Sequence, residues 1–345
     1  MKPYLLISLL ALILTACGAE APPTAAPNGP TAMVPVVAVS ELEVGQNRLP
    51  LGILANGTPI NDPALKLKLR FYYLDGAEPS KVLDESEAIY RGEGLPFGIY
   101  VAYPNLDRAG GWGVEVEIPQ ASGAPQTSRL RLDVLERSKV PAVGSAAIAS
   151  QNATIRDVSK INELTSDPRP DPALYQLSIA DALAAQKPFL VTFSTPGYCQ
   201  TAVCGPNMLV VKKLKETYGQ QVNFLHVEVY PFPFSESFQQ QRRVPAMAEW
   251  NLRTEPWTFL VDGQGIIQAK YEGGITFAEL EPALVKLAIG VLKRAKATIG
   301  GAALAVATQV EGEHCKTTLA HGRHKLDKAP AKLSAAAAGM AVDEH

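Results

Sequence analysis

The stretch FSTPGYCQTAVCGP, residues 193–206, places two cysteines five positions apart directly after an apolar run. That run, PFLVTFST at 188–195, is continuous, which is typical of a strand covered on both faces. Gly205 and Pro206 then open an amphipathic helical pattern that closes at Gly219. The two thiols therefore lie between a buried strand and a helix. They are candidates for a redox pair, a structural disulfide or a metal site.

The first residues indicate the compartment in which these thiols reside. Lys2 precedes an apolar run, Tyr4–Leu14, that is too short to span a bilayer and has the length of a signal-peptide core. The run ends in LTAC, which resembles the lipobox of bacterial lipoproteins, although an ordinary signal peptide with a chance cysteine is the alternative. The resemblance implies a signal peptide at 1–16 and lipidation of Cys17. We expect a protein anchored to the cell membrane on its extracytoplasmic side, where disulfides persist.

Composition and periodicity then define a tether and a first domain. Residues 17–35 are rich in Pro, Ala and Thr and predict a flexible tether. Residues 36–137 alternate apolar and polar side chains, for example in LKLKLRFYYL at 65–74, and suggest about seven short strands without a helix. We predict an all-β sandwich, which resembles the immunoglobulin-like modules of secreted bacterial proteins. A role as spacer or docking module is expected, because this half has no Cys or His for a soft-metal site.

The remainder has a connector, an α/β domain and a tail. Residues 138–175 are rich in Pro, Ser and Asp and predict a connector. Residues 176–297 alternate helical and strand patterns, with Ser178 as a predicted helix cap. Residues 298–345 are rich in Ala and Gly at first and then hold Cys315 and most of the histidines. We predict a disordered tail there, with a transition-metal site as the alternative.

The α/β segment resembles the thioredoxin superfamily, especially its extracytoplasmic members. Cys199 and Cys204 follow the first strand, Pro256 stands directly before a later strand, and FLVDGQGII resembles the strand-turn-strand that follows it in the family. The resemblance implies a thioredoxin-like fold and thiol-disulfide exchange, with Cys199 as the attacking thiol and Cys204 as the resolving one. It also implies that Pro256 is cis and shapes the groove for client thiols or disulfides. An unidentified redox partner is expected, and no cofactor.

The segment departs from the family pattern in its thiol spacing and neighbouring residues. Four residues separate the cysteines where the family has two, and Thr192 stands near the position of a buried acid. Glu255 precedes Pro256, where a neutral residue is usual, and a carboxylate near a thiol raises the thiol pKa. Tyr198, Glu255 and Trp257 are the candidates for lining the client groove.

The spacing of the two cysteines constrains their conformation. In a regular helix their Cα atoms would lie roughly 8.7 Å apart. A disulfide usually needs about 4.4–6.8 Å. We therefore predict a loop at 199–204 with Pro206 at the first helical position, whereas the alternative is a first turn that melts on oxidation. Such a short ring gives limited unfolded-state stabilisation, which favours a redox role over a structural one.

Other chemistries use the same residues. TPGYCQTAVCG resembles the peroxidatic loop of the bacterioferritin-comigratory class of peroxiredoxins, but Thr195 is one residue too far from Cys199. His226 and Glu228 fall on one face of a predicted strand, as a ligand pair, a proton relay or a structural contact. We expect the structural contact and no metal. The net charge of −2, with both signs mixed, is no footprint for nucleic acid.

Overall fold

The computed structural model describes residues 32–120 and 123–299. The predicted signal peptide, Cys17, most of the tether and nearly all of the tail lie outside these residues, so those predictions stay predictions. In the described part of the chain, no helix is both long enough and apolar enough to cross a bilayer.

The first domain is all-β, as the alternating pattern predicts. Seven of its strands have three or more residues, and the others have two. The strands are β1 (Met33–Val37), β2 (Leu42–Glu43), β3 (Gly45–Gln46), β4 (Leu49–Ala55), β5 (Thr58–Pro59), β6 (Leu67–Tyr73), β7 (Val82–Tyr90), β8 (Tyr100–Ala102), β9 (Asn105–Leu106), β10 (Gly110–Ile118) and β11 (Gln126–Leu135).

Nine of these strands join into one sheet, in the order β1-β4-β8-β7-β6-β10-β11-β2 with β5 on β4. β7 pairs with β6 over most of its length and with β8 at its end, so the sheet curls. Its apolar residues form one core that includes Leu51, Phe71 and Trp112. β3 and β9 form a separate pair. A relation to immunoglobulin-like modules stays a prediction.

The second domain has the α/β order that the sequence predicts. The connector before it holds two 3-10 helices, Ile161–Glu163 and Pro172–Tyr175. The elements that follow are α1 (Ile179–Ala184), β12 (Phe189–Ser194), α2 (Cys204–Tyr218), β13 (Asn223–Glu228), α3 (Phe234–Gln239), α4 (Pro245–Glu249), β14 (Trp257–Val261), β15 (Ile267–Glu272) and α5 (Phe277–Ile299). Ser178 caps α1 in a capping box, as predicted.

The sheet order β13-β12-β14-β15 puts β12 in the interior of the sheet. β12 and β13 are parallel, because α2 crosses between them, whereas β14 and β15 form an antiparallel hairpin. Phe189, Val191 and Phe193 pack in the same core as α1 and α4, and Leu190 packs in a second core with α2 and α5. Helices on both faces explain the unbroken apolar run of β12. Both cysteines follow the C-terminal end of this strand in the chain.

Candidate functional site

Cys199 and Cys204 form a disulfide with their Cα atoms 5.9 Å apart. The predicted loop is present, since α2 begins only at Cys204. The prediction that Pro206 is the first helical residue is wrong, because the backbone N–H of Asn207 already bonds to the carbonyl of Val203. Pro206 is tolerated in this turn because first-turn N–H groups lack helical acceptors.

The two sulfur atoms have different surroundings. Cys204 is fully buried, whereas Cys199 is partly exposed. The Sγ atom of Cys199 accepts a hydrogen bond from the backbone N–H of Cys204 at 3.3 Å and lies 3.2 Å from the hydroxyl of Thr201. These donors and the N-terminus of α2 favour a thiolate on Cys199 after reduction. The geometry therefore fits Cys199 to attack and Cys204 to resolve.

Glu255 lies beside the buried sulfur. The Glu255–Pro256 peptide bond is cis, and the Oε2 atom of Glu255 is 3.9 Å from the Sγ atom of Cys204. Burial raises the pKa of Glu255, and hydrogen bonding from Thr195 and the charge of Arg243 oppose this shift. Glu255 is thus placed to exchange a proton with Cys204. Thr195, considered above for peroxide chemistry, is itself fully buried.

The two aromatic groove candidates have opposite placements. Tyr198 is partly exposed and stacks on Phe238, with ring centroids 5.6 Å apart. Trp257 is only 3% exposed, stacks on Phe259 and donates its indole N–H to Thr254. Tyr198 therefore offers a surface next to Cys199. The ring of Trp257 belongs to the core and offers almost none.

The connector holds the loop between β12 and α2, here called the disulfide loop, through a contact that the sequence does not predict. The backbone N–H of Gly197 donates to the hydroxyl of Ser166 at 2.9 Å. That hydroxyl donates to Glu228, which also accepts the backbone N–H of Ser166, both at 2.8 Å. Burial raises the pKa of Glu228 to about 8. Glu228 thus anchors the loop through Ser166, and the spacing of the residues gives no signal for this contact.

His226 has other partners. The Nδ1 atom of His226 lies 2.7 Å from the hydroxyl of Tyr175, and Nε2 lies 3.1 Å from the carbonyl of Ser194. Because a carbonyl only accepts, Nε2 carries the proton and Nδ1 accepts from Tyr175. Burial lowers the pKa of His226 to about 4, so the ring is neutral near pH 7. Among residues 32–120 and 123–299, no three His, Cys, Asp or Glu side chains are grouped to hold a metal ion.

Residues 175–288 match a family model described as a thioredoxin-like domain. No curated protein matches the chain. Among solved structures, the chain is similar to a thiol:disulfide interchange protein of the thioredoxin family from Chlorobium tepidum TLS, at 16% identity over 36% of this chain and 99% of that one, with a TM-score of 0.26.

Two further structures are similar to parts of the chain. A thioredoxin-like protein in the oxidized form is 16% identical over 30% of this chain and 79% of that one, with a TM-score of 0.24. For an engineered protein, 11% identical with a TM-score of 0.22, the match covers 31% of this chain and 21% of that one. The family match and the β13-β12-β14-β15 topology agree, and residues 175–288 are a thioredoxin-like domain.

Proposed function

We propose that the protein is a thiol-disulfide oxidoreductase, anchored to the cell membrane by lipid on Cys17 and facing the extracytoplasmic side. One observation carries the redox part of the proposal: a partly exposed sulfur is bonded to a buried one at the start of α2, and the buried sulfur lies beside Glu255, the residue that precedes cis-Pro256. The anchor rests on the LTAC sequence alone. The proposed partners are client protein thiols or disulfides and a redox partner that returns the pair to its starting state.

In the oxidising direction, a client thiolate attacks the Sγ atom of Cys199. The Cys199–Cys204 bond breaks, its electron pair leaves on Cys204, and the carboxyl of Glu255 protonates that thiolate. A second client thiolate then attacks the mixed disulfide and releases Cys199 as a thiolate. The client dithiol loses two electrons and the pair gains them. In the reverse direction, ionised Glu255 takes the proton of Cys204, which then resolves the mixed disulfide.

A redox titration of the pair, read by thiol alkylation and mass spectrometry, tests this function. Cys204→Ala is expected to accumulate mixed disulfides with clients on Cys199, because the resolving thiol is missing. Cys199→Ala is the matched control and is expected to trap far less, since Cys204 is buried.

The competing function is a scaffold with a structural disulfide. A potential below about −300 mV together with no trapped client would support it and overturn our proposal. Peroxide consumption at a rate comparable to dithiol exchange would instead favour a peroxiredoxin-like activity.

A further inference from the structure

The β-sheet domain covers the residue that joins the disulfide loop to α2. Val203 is the N-cap of α2, directly precedes Cys204 and is 2% exposed. Its side chain packs in a small cluster whose other members all come from the β-sheet domain: Leu95, Ile99 and Val101, with Phe97 against them. The thioredoxin-like domain contributes only Val203 to this cluster. The β-sheet domain therefore contacts the Cys204 end of the disulfide loop.

The same contact reaches the segment after β15. A β-carbon placed on Gly274 would lie 2.7 Å from Cδ1 of Ile99 and 2.8 Å from Cδ1 of Leu95, so the two domains approach as closely as a glycine permits. The side chain of Asn207, in the first turns of α2, bonds to the carbonyl of Gly273 and the N–H of Ile275. The start of α2 is thus tied to the surface on which Leu95 and Ile99 rest.

This surface is also connected to Pro256. The backbone N–H of Gly273 donates to the carbonyl of Pro256 at 2.9 Å. Arg48 of the β-sheet domain donates to the carbonyls of Glu272 and Gly274 at 2.7 and 2.8 Å. One hydrogen-bonded junction therefore includes the start of α2 with Cys204, the segment 273–275 and Pro256. The β-sheet domain contacts this junction through Arg48, Leu95 and Ile99.

We propose that the β-sheet domain shifts the redox equilibrium of the Cys199–Cys204 pair toward the disulfide. Leu95 and Ile99 are the positioning residues, and they act on Cys204 through Val203. This inference rests on the proposed function for its biological meaning. Physically, a held Val203 limits the conformations that the dithiol form can explore, whereas the disulfide form is already closed. Holding Val203 therefore favours disulfide formation, as any restraint that keeps two reacting groups together does.

The test is the equilibrium constant of the Cys199–Cys204 pair with glutathione, measured on the full-length protein by alkylation and mass spectrometry. Two glutathione molecules reduce the pair and leave one oxidised glutathione, so thiols and electrons balance. Ile99→Ala is expected to shift this constant at least fivefold toward the dithiol. The matched control is Ile53→Ala, a fully buried isoleucine of the β-sheet core outside the Val203 cluster, expected to change the constant less than twofold.

A double-mutant cycle keeps the test independent of general destabilisation. Val203→Ala removes the other side of the contact, and the double variant with Ile99→Ala is expected to shift the constant no further than the larger single shift. Equal shifts in Ile99→Ala and Ile53→Ala, no shift in Ile99→Ala, or fully additive shifts would each overturn the inference. Because glutathione replaces the clients, a failure to trap clients would count against the proposed function alone.

Discussion

The Oε2 atom of Glu255 lies 3.9 Å from the Sγ atom of Cys204. A carboxyl with a raised pKa thus faces a sulfur that has no exposed surface. A thiolate released in such a place is costly unless it is protonated or paired. The proposed mechanism assigns the proton to Glu255 for this reason.

We expect Glu255→Gln to slow the reduction of the disulfide by dithiothreitol by about tenfold or more, because an amide cannot donate this proton and general acid catalysis typically contributes 10²–10⁴. The measurement is a stopped-flow rate between pH 5 and 9, in which the variant should lose the limb that depends on protonated Glu255. Glu216→Gln, an exposed substitution at the far end of α2, is the control. An unchanged pH profile in Glu255→Gln would remove Glu255 from the mechanism.

Glu228 and His226 should make the stability of the folded protein depend on pH in opposite directions. The raised pKa of Glu228, about 8 against 4.5, means that the folded state holds a proton that the unfolded state has lost, so stability falls as the pH rises through this window. The lowered pKa of His226, about 4 against 6.5, makes stability rise with pH in its own window. The two effects oppose each other between about pH 4.5 and 6.5, and of these two groups only Glu228 acts between about pH 6.5 and 8.

We therefore expect Glu228→Gln to remove a fall in the free energy of unfolding on the order of 1–2 kcal/mol between pH 6.5 and 8. Urea denaturation at a series of pH values measures it, with Glu216→Gln as the exposed control. A variant whose stability still declines as steeply as the wild type over this range would contradict the assignment.

Arg48 forms a buried ion pair with Glu279 across the domains, with an N–O distance of 2.7 Å and side chains 10% and 2% exposed. Arg48→Met leaves the Glu279 carboxylate buried without its partner, so we expect a loss of about 3–5 kcal/mol in the free energy of unfolding. The exposed pair of Arg131 with Asp133 supplies the control, since Arg131→Met should change stability by about 0.5 kcal/mol or less. A loss in Arg48→Met as small as the one expected for Arg131→Met would contradict the structural role of the buried pair.

Two glycines flank the redox pair and should respond in opposite directions to alanine. A β-carbon on Gly197 would lie 2.9 Å from the side chain and the carbonyl of Ser166, so Gly197→Ala should cost about 1–3 kcal/mol and loosen the loop. A β-carbon on Gly205 meets nothing within 4 Å in α2, so Gly205→Ala should stabilise the protein by about 0.5–1 kcal/mol. Thermal unfolding of both variants checks the pair, and a stabilising Gly197→Ala would refute the close contact.

Local sequence patterns are sufficient to predict much of the second domain. The apolar run of β12, the cap at Ser178 and the position of Cys199 between strand and helix all depend on neighbouring residues, and the sequence predicts them. The cis peptide bond at Pro256 was implied by the family resemblance. The start of α2 was missed by two residues, because first-turn N–H groups need no helical partner and a proline there sets no fixed boundary.

The periodicity of the strands, the helix signals and the presence of a thiol pair can be read along the chain, since they follow from local chemistry. The residues that surround that pair are set by three-dimensional packing. Ser166 beneath Gly197, Glu255 beside Cys204 and Ile99 over Val203 are contacts between segments far apart in the chain. Such contacts depend on how the packed layers are arranged against each other, and the spacing of residues along the chain does not encode that arrangement.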